Sequence, residues 1–94
     1  MAHRILVVDD EQNARDGLTT ILREEGYDVV EAADGEAGLE KLTQTNPDAV
    51  LCDIKMPKMD GLQLLKKARA DGFDNLFIMV TAFGSIETAS RRCV

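Results

Sequence analysis

The sequence predicts an α/β domain built on a doubly wound parallel sheet. Short apolar runs alternate along the chain with stretches in which apolar residues recur at helical spacing, and this alternation is typical of strand–helix–strand units. The chain has 94 residues, of which 45% are hydrophobic. That length and composition favour a single domain with a modest core.

The first strand and helix are indicated by two successive patterns. Arg4 to Val8 forms an unbroken apolar run after its first residue, as expected of a strand covered on both faces. A helical period follows and ends at Gly26, a residue typical of helix C-termini. We expect the inward face of this helix to consist of Ala14, Leu18, Ile21 and Leu22. Tyr27 to Ala32 then reads as the second strand.

The second helix and third strand follow the same logic. Asp34 is a good N-cap residue, and the helix that it begins should present Ala37, Leu39 and Leu42 to the core. It should end before Asn46, since the following Pro47 disfavours helical backbone in the residue that precedes it. Ala49 to Cys52 is the third strand.

The last third of the sequence indicates a third helix, a fourth strand and the start of a fourth helix. Asp60 is expected to cap a third helix that ends at Gly72. Its inward residues should be Leu62, Leu65 and Ala68. Leu76 to Thr81 is the fourth strand, and a fourth helix is expected to begin at Ser85.

The strand order decides whether the acidic residues at the strand ends meet. In the order 2-1-3-4, strands 1 and 3 are neighbours about 4.8 Å apart, with helices on both faces of the sheet. Asp9 and Asp10 follow strand 1, and Asp53 follows strand 3. Open α/β sheets bind ligands at the point where the strand order reverses, so we expect the three carboxylates to converge there.

Three carboxylates in one place predict a cation. Each pair about 5 Å apart repels by roughly 3 kcal/mol at an effective dielectric constant near 20. Mg²⁺ suits such oxygen ligands and also accepts phosphate oxygens. A carboxylate beside Mg²⁺ and a phosphoryl donor would form an aspartyl phosphate, and the hydroxyl of Thr81, at the end of strand 4, would be placed to bond a phosphoryl oxygen.

Three motifs identify the chain as similar to a known family. The segments LVVDDE, LCDIKMPKMDG and IMVTAFGS resemble the receiver domains of two-component response regulators, from about Arg4 to Ala89. The resemblance implies a flavodoxin-like fold in which Asp53 is the phosphoacceptor and, with Asp9 and Asp10, forms the metal site. Asp10 matches the direct metal ligand, and Asp9 matches its acidic partner, which often acts through water. The resemblance further implies that the backbone carbonyl of Lys55 binds Mg²⁺. Thr81 and Ala82 match the hydroxyl residue that moves toward the phosphoryl group and the small residue that leaves room for it.

The resemblance also implies a function and its partners. A sensor histidine kinase would supply the phosphoryl group. The phosphorylated domain, which is not itself an enzyme, would regulate an output domain, and we expect that output domain to act in transcription. The tract VTAFGSIETA is similar to receivers of NtrC-type activators that work with sigma-54. A cytoplasmic location follows from the family and from the lack of a membrane span or signal peptide in the 94 residues.

The sequence departs from the family at its C-terminal end. The segment ETASRRCV stops within the expected helix 4, so we interpret residues 1–94 as a single truncated receiver domain that lacks the family's fifth strand, its lysine and its fifth helix. One alternative is therefore a phosphorylation-impaired interaction fragment that dimerises or exchanges segments. A Mg²⁺-dependent phosphohydrolase is a further alternative, although the spacing of Asp10 and Asp53 does not match its expected acids.

Charge and cysteine content limit the partners. The formal net charge is −6, which argues against direct nucleic-acid binding. Cys52 and Cys93 do not form a disulfide framework and are expected to be free thiols. The fourth strand is apolar on both faces, and nothing in the expected order pairs with its outer edge. We therefore expect self-association through strand 4 or through the segment from Ser85 to Val94.

Overall fold

The computed structural model describes residues 3–54, 56 and 58–80 in full, and residues 86–88 as a strand. Four strands and three helices alternate, followed by a short fifth strand. The strands are β1 Arg4–Val8, β2 Asp28–Ala32, β3 Ala49–Asp53, β4 Leu76–Val80 and β5 Ile86–Thr88. The helices are α1 Gln12–Glu24, α2 Gly35–Thr45 and α3 Gly61–Ala70. Within the described residues, no helix is long and apolar enough to cross a membrane.

The sheet has the predicted order. Its strands are arranged β2-β1-β3-β4-β5, and the first four are parallel. The predicted flavodoxin-like sheet with order 2-1-3-4 is therefore confirmed. The central strands β1 and β3 have a neighbour on each side, which explains their nearly continuous apolar sequences.

The end of the sheet differs from the prediction. Instead of beginning a fourth helix, residues Ile86–Thr88 form β5, which pairs antiparallel with Ile78–Val80 of β4. The predicted open outer edge of β4 is consequently covered along those three residues by the chain itself. An apolar strand edge favours such pairing, and Ile and Thr are β-branched residues that suit a strand. Ser85, where the helix was expected to begin, lies outside the described residues.

Helix ends were predicted well from their capping residues. Asp34 accepts a hydrogen bond from the backbone N–H of Ala37 and caps α2. Asp60 and Gln63 form a reciprocal capping box at the start of α3. Gly26 and Gly72, which follow α1 and α3, have φ angles of 96° and 98°, a backbone conformation that favours glycine.

The two faces of the sheet carry separate apolar clusters. Alternate residues of each strand point to opposite faces. One face packs against α2 and α3, where Leu42, Leu64 and Ala68 are buried. The other face packs against α1 through the partly buried Leu18 and Leu22. The predicted inward positions of α2 are confirmed, since Ala37 and Leu39 also pack on the first cluster.

Three predicted inward residues are exposed. Leu62 of α3 is 53% exposed, and Leu64 takes its place in the core. Ile21 of α1 is 58% exposed, and Ala14 is exposed as well. The buried face of α1 instead centres on Leu18, Leu22 and Thr19, so that the helix is turned by roughly 60° from the predicted orientation.

The face that carries α1 is less completely covered. Beside α1 it leaves a groove of about 370 Å³. The apolar residues that line this groove are Ile5, Leu22, Tyr27, Ala49, Leu51, Leu76 and Ile78. Leu76 and Tyr27 are among the exposed large hydrophobic residues of the protein. A larger groove on the opposite face has a more polar lining, which includes Glu36, Glu40 and Lys67.

The buried Thr19 gives a test of the observed orientation of α1. Its side chain is buried, and its Oγ1 has no hydrogen-bond partner among the described residues. Thr19→Val replaces the unsatisfied hydroxyl with a methyl group, and we expect it to raise the free energy of unfolding by about 1 kcal/mol. Urea denaturation would measure the change. Thr20→Val, at an exposed position, is the matched control and should change stability by less than about 0.5 kcal/mol. A loss of stability in Thr19→Val would contradict the predicted gain.

Candidate functional site

The register of the sheet places Asp9 beside Asp53. Val8 is paired with Cys52 across β1 and β3, so the residues that follow them lie next to each other at the carboxyl edge of the sheet. Asp53 is the last residue of β3 and is paired with Val80 of β4. The strand order reverses at this edge, which is where parallel α/β sheets place their ligand sites.

The three predicted metal-binding carboxylates converge at this edge. One carboxylate oxygen from each of Asp9, Asp10 and Asp53 lies within 4.8 Å of the other two. Asp9 is buried, Asp53 is half-buried and Asp10 is exposed. The cluster is therefore open to solvent on one side and closed at its base by Asp9.

The electrostatics of the cluster disfavour an ionised Asp9 without a cation. Burial raises the pKa of Asp9, and the negative charges of Asp53 and Asp10 raise it further. The backbone N–H of Glu11 opposes this by donating to Asp9 Oδ1 at 2.9 Å, which lowers the pKa. The balance still lies above the usual value for an aspartate, as expected for a buried acid among like charges.

A close approach of backbones fixes the loop that follows Asp53. The N–H of Gly61 donates to the carbonyl of Ile54 at 3.0 Å, where α3 begins. A Cβ atom on Gly61 would lie 2.8 Å from the carbonyl oxygen of Asp53. Only glycine allows α3 to start this near to the end of β3, so Gly61 helps to determine where the Asp53 backbone lies.

Cys52 lies beneath the cluster and is not one of its ligands. Its side chain is fully buried, and its Sγ donates to the carbonyl oxygen of Asp53 at 3.3 Å. Burial, together with the charges of Asp53 and Asp9, raises the pKa of the thiol to about 12. The thiol therefore stays protonated, which makes it a poor nucleophile and metal ligand. As predicted, Cys52 is free, whereas Cys93 lies outside the described residues.

Sequence reasoning missed one ion pair at the site. Arg15 of α1 donates from Nη1 to the carbonyl oxygen of Asp9 at 2.7 Å and from Nε to Glu31 Oε1 of β2 at 3.2 Å. Two local anomalies could have indicated it. A cation near the N-terminus of a helix opposes the helix dipole, and Glu31 interrupts the apolar pattern of β2.

Three further predicted site residues fall outside the part of the chain that the structure describes. They are Lys55, whose backbone carbonyl was predicted to bind the metal, and Thr81 and Ala82 at the end of the fourth strand. Their roles stay predictions.

The residues that the structure does describe fit a hard divalent cation. Every ligand atom in the cluster is a carboxylate oxygen, the donor type that Mg²⁺ prefers. A cation would also offset the repulsion that raises the pKa of Asp9. The donor set of Asp9, Asp10 and Asp53 therefore suits Mg²⁺ and would leave coordination positions for water or a phosphoryl oxygen.

Comparison with known proteins agrees with this geometry. The regulatory protein AtoC of Escherichia coli is 40% identical over 87 residues, which are 93% of this chain and 19% of AtoC. Sporulation initiation phosphotransferase F of Bacillus subtilis is 37% identical over 93% of this chain and 70% of its own length. The chain thus spans less than a fifth of one relative and over two thirds of the other.

The fold is shared with a solved structure that contains a metal. The response regulator TrrA of Thermotoga maritima, crystallised in complex with Mg²⁺ and BeF, superposes with a TM-score of 0.81 at 44% identity. The match covers 87% of this chain and 70% of TrrA. The family model described as the response regulator receiver domain matches residues 5–93. The chain therefore belongs to the receiver domains of two-component response regulators.

Proposed function

We propose that this receiver domain binds Mg²⁺ through Asp9, Asp10 and Asp53 and accepts a phosphoryl group on Asp53 from a sensor histidine kinase. The observation that carries the proposal is the convergence of three carboxylate oxygens within 4.8 Å at the carboxyl edge of the sheet. Family membership supports the same reading. The domain acts as a phosphorylated switch in the cytoplasm, and it is not an enzyme that turns over a free substrate.

Burial argues against Asp9 as the nucleophile, and the match of Asp53 to the family's phosphoacceptor position favours it over the exposed Asp10. Asp9 is buried, whereas the half-buried Asp53 is accessible from the open side of the cluster. In the transfer step, a carboxylate oxygen of Asp53 forms a bond to phosphorus while the bond between phosphorus and the donor histidine nitrogen breaks. Mg²⁺, when bound, supplies positive charge to the phosphoryl oxygens. Asp9 and Asp10 hold that charge beside Asp53.

The roles of the remaining predicted residues follow from the family. We propose that the carbonyl of Lys55 completes the metal ligands, that Thr81 bonds a phosphoryl oxygen, and that Ala82 leaves space for that hydroxyl to move. The output is proposed to be transcriptional, with an NtrC-type activator as its class. The 40% identity with the regulatory protein AtoC supports this proposal. The domain itself does not contact nucleic acid, in keeping with its net charge of −6.

A second copy of the chain is the proposed partner for the apolar groove beside α1. Self-association was predicted to use the outer edge of β4. In the structure, β5 covers that edge along Ile78–Val80. Leu76 and Tyr27 in the groove nevertheless remain exposed. A symmetric dimer would use this surface on both copies.

The first prediction here concerns metal binding. Asp10→Ala removes one carboxylate from the cluster, and we expect it to abolish most of the Mg²⁺ affinity while leaving the fold intact, because ligation needs the ionised carboxylate and its loss relieves repulsion. Calorimetric titration at fixed ionic strength would measure the affinity. Asp16→Ala, at an exposed position of α1, is the control for net charge. Equal Mg²⁺ affinity in Asp10→Ala and the unaltered chain would refute the assignment.

The second prediction concerns the phosphoacceptor. Asp53→Asn should eliminate covalent phosphoryl incorporation from a small phosphodonor in the presence of Mg²⁺, because an amide does not supply the attacking carboxylate. Mass spectrometry of the intact chain would detect the added phosphoryl group. Asp74→Asn, at an exposed position before β4, should label like the unaltered chain. Labelling of Asp53→Asn to the same extent would place the acceptor elsewhere, whereas steady turnover of a phosphomonoester would favour the phosphohydrolase alternative.

The third prediction concerns self-association. The unaltered chain should be dimeric by light scattering after size exclusion under reducing conditions. Leu76→Glu should shift it toward the monomer, because it places a charge in the apolar groove. Leu62→Glu changes a similarly exposed leucine on α3, outside the lining of the groove, and should leave the dimer intact. A monomeric unaltered chain of 10.3 kDa at high micromolar concentration would contradict the proposal.

A further inference from the structure

Arg15 occupies an unusual position for a cation. It is the fourth residue of α1, whose N-terminus lies next to the acidic cluster, and its side chain is only 14% exposed. The helix dipole disfavours positive charge near this end, and burying a guanidinium group is unfavourable unless it is paired and hydrogen-bonded. Both conditions are met, by Glu31 and by the carbonyl of Asp9. The pairing makes the burial of Arg15 tolerable, but it does not explain why a cation stands at a helix position that the dipole disfavours.

The contact with Asp9 acts on the peptide group that joins Asp9 to Asp10. The carbonyl oxygen that accepts from Arg15 Nη1 at 2.7 Å belongs to that peptide group. A peptide group is planar, so a fixed carbonyl also fixes the direction in which the chain enters Asp10. Arg15 thereby influences the positions of two predicted metal ligands without contacting either carboxylate.

Asp9 is held at three separate points. Its N–H donates to the carbonyl of Ala32 at 3.1 Å, its Oδ1 accepts from the N–H of Glu11 at 2.9 Å, and its carbonyl accepts from Arg15. The first contact joins two backbone groups, and the second joins the carboxylate of Asp9 itself to a backbone N–H, so neither uses the side chain of another residue. The third depends on one side chain, which makes it the contact that a substitution can remove alone.

Glu31 determines where the guanidinium group of Arg15 lies. Its carboxylate accepts from Nε at 3.2 Å, and its side chain is 32% exposed. Glu31 belongs to β2, and Val7 of β1 is its partner in the parallel register. The pair therefore links α1 and β2 directly across the end of β1 that carries the acids.

We infer that Arg15 is a positioning residue for the metal-binding acids and that Glu31 orients it. The inference rests on the proposed function, since it concerns the Mg²⁺ affinity of the same cluster. In metal sites, residues that orient a ligand through such contacts typically change affinity by about 10- to 100-fold when they are replaced. Arg15 acts through the Asp9 carbonyl and does not itself ligate the metal.

The sign of the effect separates positioning from simple electrostatics. Arg15 is a positive charge beside a cluster that attracts a cation. If its charge alone mattered, removing it would strengthen Mg²⁺ binding, because like charges repel. If its contact with the Asp9 carbonyl matters, removing it loosens the peptide group and weakens Mg²⁺ binding. The two explanations therefore predict opposite changes.

The experiment compares Mg²⁺ titrations of four chains at one ionic strength. Arg15→Gln should bind Mg²⁺ about tenfold more weakly than the unaltered chain. Arg15→Lys, which keeps the charge and one donor group, should recover part of that loss. Arg23→Gln removes the same charge from the same helix and is the matched control, because among the described residues the Arg23 side chain makes one long hydrogen bond, of 3.5 Å, to the carbonyl of Val29. It should not weaken binding.

A readout without metal tests the cause directly. Amide hydrogen exchange of the metal-free chains should be faster at Asp10 and Glu11 in Arg15→Gln than in Arg23→Gln, since only the former loses the contact at the Asp9 carbonyl. Circular dichroism establishes that each variant is folded, and Arg15→Lys serves if Arg15→Gln is not. If the folded Arg15 variant binds Mg²⁺ as tightly as the unaltered chain or more tightly, the inference about Arg15 is wrong, but the proposed function still stands. Failure of the unaltered chain to bind Mg²⁺ would overturn the proposed function as well.

Discussion

Repulsion among carboxylates at two adjacent strand ends is the constraint on which the rest of this structure depends. Asp9, Asp10 and Asp53 offer oxygen atoms within 4.8 Å of one another, and each such pair repels by roughly 3 kcal/mol at an effective dielectric constant near 20. Packing beneath the cluster has to hold the strand ends together against this force. The fully buried Val8 and Cys52, paired across β1 and β3, supply that packing. The acids are thus kept together by the apolar residues that precede them.

The surrounding elements each limit one movement that would relieve the repulsion. Gly61 brings the start of α3 against the carbonyl of Asp53, which limits movement of the end of β3. Arg15 holds the carbonyl of Asp9, which limits movement of the end of β1. The orientation of α1 is consistent with the same contact, because Ile21 lies six residues after Arg15, about 120° around the helix, and faces outward when Arg15 faces the sheet. The exposure of an apolar residue on α1 is therefore connected to the geometry of the site.

Much of the fold and of the site could be predicted because it depends on local patterns. Capping by Asp34 and Asp60 and the αL positions of Gly26 and Gly72 are properties of a few neighbouring residues. The convergence of Asp9, Asp10 and Asp53 followed from the strand order together with their places at strand ends. The failures involve contacts between distant residues. Ile21 was misplaced because the pairing of Arg15 with Glu31, which are 16 residues apart, is invisible to helical periodicity. The β5 strand was missed because the open edge of β4 was expected to pair with a second chain, whereas residues 86–88 of the same chain cover it.

Differences in burial suit the three aspartates of the cluster to different roles in the proposed reaction. Asp9 is buried and bonded through its backbone and its carboxylate, so in the proposed site it would be a fixed ligand that a bulky phosphoryl donor does not reach. Asp10 is exposed, and its position depends on the peptide group that it shares with Asp9. Asp53 is half-buried at the end of a strand with neighbours on both sides, so its carboxylate is both accessible and restrained. Accessibility and restraint together are what a nucleophile in phosphoryl transfer requires, because the reaction needs approach from solvent and a defined attacking geometry. Three aspartates in a flexible loop would also bind a cation, but no difference in burial would set one of them apart as the phosphoacceptor.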